Sequence, residues 1–98
     1  MKINYNRESE KLTIAPEGRL DTTSAPIFEK EVGELLKGVS ELVLDMTKVE
    51  YVSSAGLRVI LKVQKVMLNQ GKMKLVGVNE SVMEVFDITG FSNILKIE

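Results

Sequence analysis

The chain contains no cysteine and no histidine among its 98 residues. Without cysteine it can form no disulfide and offers no thiolate nucleophile, a composition common in reducing compartments. Without histidine it lacks the side chain that most often acts as a general base near neutral pH and as a metal ligand. A Ser-His-Asp hydrolase is therefore excluded within this chain, and we expect no metal site and no enzymatic activity.

A strong excess of charge and a long apolar run are also missing. The 13 basic and 14 acidic residues give a net charge of −1, so we expect no direct binding to nucleic acid. No stretch approaches the ~20 apolar residues that span a bilayer, and the first residues do not resemble a signal peptide. We therefore expect a cytoplasmic protein without a membrane association or a cofactor, in which residues 1–98 form one domain.

Hydrophobic periodicity predicts an opening hairpin followed by alternating helices and strands. Apolar residues alternate with polar ones around Ile3 and around Ile14, and the continuous run 42–44 is typical of a strand covered on both faces. Helical spacing is expected from near residues 23–26, after the serine pair at 53–54 and around Val82–Phe86. A turn or bulge is expected at Pro16-Glu17-Gly18, and a last short strand within 94–97. The predicted order is β-β-α-β-α-β-α-(β).

This order predicts an α/β fold with a mixed β-sheet. The opening hairpin is antiparallel, whereas strands separated by helices require right-handed crossovers and hence a parallel portion of the sheet. The helices are expected to pack on at least one face of that sheet.

Two adjacent serines, Ser53 and Ser54, stand where the second helix should begin. Either one can cap the helix by accepting a hydrogen bond from a backbone N–H, and this is the simplest structural explanation. One cap needs only one hydroxyl, however, and the second would remain free in the positive end of the helix dipole. We expect Gly56 to leave space and bare backbone N–H groups beside it, an environment that favours a phosphate.

Three kinds of reactive serine can be compared with this pattern. A nucleophile elbow requires G-x-S-x-G, but Val52 occupies the first glycine position before Ser54. A phosphate-binding P-loop requires G-x-x-x-x-G-K-[ST], which is absent. A phosphoacceptor requires only an exposed hydroxyl on a well-held turn, with catalysis supplied by another protein. Only this third explanation is compatible with the sequence.

The stretch LVLDMTKVEYVSSAGLRVIL, residues 42–61, resembles the signature of the STAS domain, specifically that of the bacterial anti-sigma factor antagonists. The segments GRLDTTSAPIFEKEV and VFDITGF resemble the first-helix entry and the third helix of the same family. The resemblance thus extends over nearly the whole chain. The residues that match the central signature, in order, are Asp45, Tyr51, Val52, Ser53, Ser54, Ala55, Gly56 and Leu57.

The resemblance implies a partner switch rather than an enzyme. Unphosphorylated, such a protein binds an anti-sigma factor that is also a serine kinase, and thereby releases a sigma factor. The kinase phosphorylates the position of Ser54 and breaks the complex, and a PP2C-type phosphatase restores the hydroxyl. Ser53 occupies a position that is often Asp in this family, which leaves it as the alternative acceptor. A monomer or weak dimer is expected.

Further residues are candidates for a partner-binding surface around Ser54. Asp21 has the position of a turn or capping carboxylate, and the resemblance also places it near the phosphoacceptor, on the partner face. Arg58, Lys62 and Lys65 share one helical face, which is either simply solvated or part of the partner surface. We include Asp21, Ser53, Ser54, Gly56, Arg58 and Lys62 in the predicted partner surface.

Two other functions remain open at this point. The same fold can be an interaction module of another system, such as a stress-signalling scaffold, a transporter accessory or a lipid-trafficking accessory. An enzyme is disfavoured because histidine and cysteine are missing, and a turnover screen against phosphoester and acyl substrates would test it.

Overall fold

The opening hairpin is present as predicted in a computed structural model that describes all 98 residues. Strand β1 spans Lys2–Glu8 and pairs antiparallel with β2, which spans Lys11–Leu20. The connecting turn places Ser9 at a φ of 58°, in the left-handed region. Alternating residues of β2 are buried, among them Leu12 and Ile14, so that one face of the hairpin faces the core.

Strand β2 is long enough to pair with two different strands along its second edge. Its first half pairs in parallel with β3, Glu41–Asp45, and its last residues pair in parallel with β4, Val49–Val52. Strand β5, Lys72–Val76, then adds in parallel to β3. The sheet order is β1-β2-β3-β5, with β4 against the end of β2, which confirms the predicted mixed sheet.

The predicted turn or bulge near Gly18 is a bulge inside β2. The pairing register with β4 shifts between Gly18 and Arg19, and Gly18 has a φ of 107°, which a residue with a side chain rarely adopts. Pro16 remains within the strand and is buried. The bulge therefore redirects β2 from β3 toward β4 without ending it.

Three α-helices follow the predicted pattern: α1 at Ala25–Leu35, α2 at Ser54–Leu68 and α3 at Glu80–Thr89. Helix α1 begins with a proline in its first turn, and α3 ends at Gly90 in the left-handed conformation. Both parallel crossovers advance across the sheet in one direction, so right-handedness places α1 and α2 on the same face, where they pack together. None of the helices is both long and apolar enough to span a membrane.

Two elements differ from the sequence-based prediction. Strand β4 was not predicted, because Val49–Val52 lies in what resembles a polar connection. The expected strand within residues 94–97 is wrong as a full strand: a 3-10 helix occupies Phe91–Asn93, and only one parallel bridge joins Ile97 to Leu75. The N–H groups of Ile94 and Leu95 donate back to the Phe91 carbonyl, so these two residues belong to the turn and only residues 96–98 run beside β5.

The hydrophobic core lies between the sheet and its helices. Phe28 of α1, Ile60 of α2 and Phe86 of α3 are each completely buried, together with Leu12 and Leu75 of the sheet. On the opposite face of the sheet the polar side chains of Thr13 and Lys74 flank Val43, which is 8% exposed and lies outside the main hydrophobic cluster. The core is therefore one layer, and the helix starts at its edge remain accessible.

Candidate functional site

The candidate site forms where two parallel strands end side by side. Leu20 at the end of β2 pairs with Val52 at the end of β4, and the Ser53 N–H donates to the Leu20 carbonyl at 2.9 Å. The chain therefore leaves the sheet at Asp21 and at Ser53 along the same edge. This is the edge at which ligands and partners approach parallel sheets.

Ser53 is the N-cap of α2, which resolves the alternative that the sequence left open. Its backbone is extended, with φ −84° and ψ 175°, and its Oγ accepts a hydrogen bond from the Gly56 N–H at 3.2 Å. The Ser53 carbonyl accepts the first helical bond, from the Leu57 N–H at 2.9 Å. The hydroxyl of Ser53 is thus already occupied in holding the helix start.

Ser54 is the first residue of α2 and has an exposed side chain. No hydrogen bond within the chain involves its hydroxyl, in contrast to the hydroxyl of Ser53. It lies next to the unsatisfied N–H groups and the positive dipole end of a helix of 15 residues. Of the two serines, Ser54 is therefore the one whose oxygen is available to another protein.

Gly56 is present for close packing. The expectation of a free N–H at this residue is wrong, because that N–H donates to the Ser53 hydroxyl. A Cβ at Gly56 would lie 2.6 Å from the Leu20 carbonyl oxygen and 2.8 Å from Leu20 Cγ. The residue is buried, so it fixes the distance between α2 and the end of β2 and presents no surface of its own.

Asp21 organises the turn that leads into α1. Its Oδ1 accepts from the backbone N–H groups of Thr23, at 3.0 Å, and Ser24, at 3.1 Å. The hydrogen bond from the Ser24 N–H lowers the pKa of the Asp21 carboxyl. Hydrogen bonds from the Thr23 N–H and the Ser24 hydroxyl, and the positive charge of Arg19, act in the same direction. The turn role considered for Asp21 is confirmed. Asp21 is partly exposed and follows the end of β2, which lies beside the end of β4 and Ser53, so its position is compatible with the partner surface.

Asp45 also has a turn role. Its carboxylate accepts from the Thr47 N–H at 3.0 Å and from the Thr47 hydroxyl. It therefore shapes the connection between β3 and β4.

A cation–π pair beside the site was not found from the sequence. The Arg19 guanidinium lies 4.5 Å from the centre of the Tyr51 ring, and Arg19 Nε is 3.8 Å from Asp21 Oδ2. Arg19 and Tyr51 face each other because they are register partners on β2 and β4. This contact could be predicted only if β4 were predicted first, and the residue pattern of β4 does not indicate a strand.

The predicted basic face on α2 is real, but its members differ in what they contact. Lys62 Nζ lies 2.7 Å from Glu29 Oε1, so it joins α2 to α1. Arg58 is exposed and has no ion pair or side-chain hydrogen bond, and Lys65 has no ion pair. Because Arg58 is four residues from Ser54, the two side chains are neighbours on the helix surface. Arg58 is therefore the uncommitted cation beside the free hydroxyl.

The fold is that of one family. The family model for the STAS domain matches residues 2–98, and the chain belongs to the STAS domain family. The anti-sigma-B factor antagonist of Bacillus subtilis is 30% identical over 97% of this chain and 86% of its own length. The candidate anti-sigma factor antagonist BtrV of Bordetella bronchiseptica is 34% identical over 99% of this chain and 85% of its own.

Solved structures agree with this assignment. The crystal structure of TM1081 from Thermotoga maritima has a TM-score of 0.90 at 30% identity, covering 97% of this chain and 84% of that one. The unphosphorylated anti-sigma factor antagonist SpoIIAA has a TM-score of 0.83 at 15% identity, over 99% of this chain and 88% of that one, which shows a shared fold.

Proposed function

We propose that this protein is an anti-sigma factor antagonist that acts as a phosphorylation-controlled partner switch. In the unphosphorylated form it binds an anti-sigma factor in the cytoplasm and so releases a sigma factor. The observation that supports the proposal most directly is that the two serines differ in their contacts. Ser53 caps the helix, whereas Ser54 is exposed and its hydroxyl makes no hydrogen bond within the chain. The relatives named as anti-sigma factor antagonists supply the class of partner.

The chemistry of the switch needs no catalytic group in this chain. A serine kinase, which we take to be the anti-sigma factor itself, transfers the γ-phosphoryl group of ATP to Ser54 Oγ. The new P–O bond forms as the bond to ADP breaks, and a base of the kinase takes the hydroxyl proton. A PP2C-type phosphatase hydrolyses the ester with water and returns the hydroxyl. The protein is the substrate in both steps and not an enzyme.

The surface around Ser54 explains how one phosphate could end binding. It adds a charge of about −1.5 to −2 at neutral pH to a face that a complex must bury. Arg58 and the dipole of α2 compensate only part of this charge, and burying the remainder against a partner surface that offers no cation of its own costs several kcal/mol. A thousandfold loss of affinity needs only about 4.2 kcal/mol. The proposed partner surface comprises Ser54, Arg58 and Lys62 on α2 and Asp21 at the entry of α1, with Ser53 and Gly56 as the support beneath it.

The test uses two matched variants, Ser54→Ala and Ser53→Ala, with the cognate anti-sigma factor kinase and ATP. Wild type should gain one phosphate, located at residue 54 by mass spectrometry, and should lose its partner in calorimetry. Ser54→Ala should gain none and should bind whether or not ATP is present. Ser53→Ala should be destabilised by about 0.5–2 kcal/mol through the lost cap and still be phosphorylated at Ser54.

Two results would count against the proposal. A phosphate on Ser53 would show that the acceptor has been assigned one residue too late. Phosphorylation that leaves partner binding unchanged would favour the interaction module of another system, in which the same surface serves as a constitutive scaffold.

A further inference from the structure

Strand β1 is the longest sheet edge without a neighbour. It spans seven residues, Lys2–Glu8, and its backbone hydrogen bonds within the chain are made to β2. The other edge strands are partly covered: Leu75 of β5 exchanges hydrogen bonds with the 96–98 segment, and the Val49 carbonyl of β4 accepts from the Asn79 side chain. An open edge of this length presents a row of unpaired N–H and C=O groups.

The sequence of this edge, KINYNRE, is complementary to itself when two copies run antiparallel. If a two-fold axis passes through Tyr5, then Lys2 of one copy lies opposite Glu8 of the other, at both ends. Asn4 then lies opposite Asn6, and Ile3 lies opposite the aliphatic part of Arg7. This register pairs all seven residues, whereas an axis through Asn4 or Asn6 leaves strand ends unpaired and removes the Lys2–Glu8 match.

The charged side chains at the two ends of this edge are not paired with opposite charges within the chain. Lys2 and Glu8 form no ion pair within the chain. Tyr5 is 59% exposed, and it lines a groove with Ile3, Leu35, Glu31 and Glu34. In the paired arrangement the Tyr5 of each copy would lie across from the other, so each exposed ring gains a cover.

We propose that β1 is a homodimerisation edge, which joins two copies of this chain into one continuous sheet with the register Lys2 to Glu8. The occupant is a second copy and not a foreign strand, because two antiparallel copies of this edge place Lys2 opposite Glu8 at both ends. The interface is small, so the dimer is weak, with a dissociation constant roughly in the micromolar to millimolar range. The inference is independent of the proposed phosphorylation, because it uses a different strand.

Charge reversal tests the register. In Lys2→Glu both symmetry-related pairs become Glu opposite Glu, and in Glu8→Lys both become Lys opposite Lys. We expect each single variant to dimerise roughly tenfold more weakly in sedimentation equilibrium, which corresponds to about 1.4 kcal/mol over the two pairs. The double variant Lys2→Glu/Glu8→Lys restores opposite charges and should dimerise like wild type. Thermal melts of all variants report whether the fold is retained.

The absence of cysteine from the chain allows a second, direct test. Asn4→Cys and Asn6→Cys, mixed and oxidised, should form the mixed disulfide, because opposed residues have Cα atoms about 4.5–5.5 Å apart. Either variant alone should crosslink poorly, since its two cysteines would be two residues out of register. A wild-type protein that stays monomeric up to about 1 mM overturns the proposal. The proposal is also overturned if the charge reversals leave the dimer affinity unchanged and the single cysteine variants crosslink as well as the mixture does.

Discussion

Gly56 sets the position of the free serine through contacts that have nothing to do with chemistry. A methyl group there would collide with the backbone of Leu20, which belongs to a strand and cannot move alone. We expect Gly56→Ala to lower the free energy of unfolding by about 1–3 kcal/mol, because the helix start must shift away from the sheet. Urea denaturation measures this difference.

Gly33 provides the matched control. It lies within α1, and a Cβ there would meet no atom within 4 Å. Gly33→Ala should therefore stabilise the protein by about 0.5–1 kcal/mol through helix propensity alone. If both substitutions changed stability in the same direction, the close approach of Gly56 to Leu20 would not control the site.

The Asp21 carboxylate should make stability depend on pH. Hydrogen bonds from Ser24 and Thr23 hold its pKa below the ordinary value of 3.8. The unfolded chain therefore binds a proton more readily than the folded one, and stability decreases as pH falls from the unfolded pKa through the folded pKa. Asp21→Asn keeps the shape and loses this dependence.

Denaturation of wild type and Asp21→Asn between about pH 6 and pH 2.5 checks the sign. The stability gap between them should be constant above about pH 5 and should close as pH falls below the ordinary Asp value. Glu98, whose pKa is also lowered, chiefly by its hydrogen bond from Lys74, is present in both proteins and cancels. A gap that does not change down to the lowest pH would show that the charge of Asp21 contributes nothing.

At the scale of elements, two of the three cations of helix α2 differ in what they contact. Lys62 is paired with Glu29 across the helix interface, whereas Arg58 is unpaired. We expect Arg58→Glu to slow association with the anti-sigma factor and to weaken its salt dependence, while the stability of the free protein changes little. Stopped-flow association at several salt concentrations measures both effects.

A charge swap separates the two roles of Lys62. Lys62→Glu alone loses both the surface charge and an exposed ion pair worth at most about 1 kcal/mol. The swap Lys62→Glu/Glu29→Lys restores the pair but leaves the charge reversed at residue 62. If the swap restores binding, Lys62 acts only by joining α1 and α2, and it should be removed from the partner surface.

Sequence patterns predicted the elements that have a clear period or cap. The three helices, the hairpin and the strands of the parallel core all have apolar spacing that differs from their surroundings. Strand β4 does not: its four residues include exposed Glu50 and Tyr51 between two buried valines, which matches neither alternation nor a continuous apolar run. Strand β4 forms because β2, beyond its bulge at Gly18, has a free edge for it to pair with. That pairing joins distant residues and leaves no local pattern in the sequence.

The site was predictable only as far as it is local. The serine pair, the cap and the following glycine lie within four residues and share one motif. The contacts of Arg19 with Tyr51 and of Lys62 with Glu29 join residues far apart in sequence, so no spacing rule shows them. The same holds for the packing of Gly56 on Leu20, which shows that the glycine leaves no open space at the helix start.

For the whole molecule, we expect phosphorylation of Ser54 to leave the fold intact. The phosphate would lie at the positive end of α2, which offers about 0.3–1 kcal/mol of compensation. Phosphorylated protein and Ser54→Asp should both melt close to wild type while binding the partner weakly. Thermal melts and amide spectra check this. A large fall in melting temperature together with lost binding would indicate a conformational switch instead of a surface one.

The two ends of the sheet order are unlike, because β1 is bare and β5 is bridged by Ile97. A molecule with two bare edges could add neighbours without limit and grow into a fibre. Here, joining two bare edges leaves only bridged edges outermost, so growth stops after a single step. If two copies join through β1, the bridge between Leu75 and Ile97 thus keeps the outer edge of each copy covered and prevents the addition of further strands.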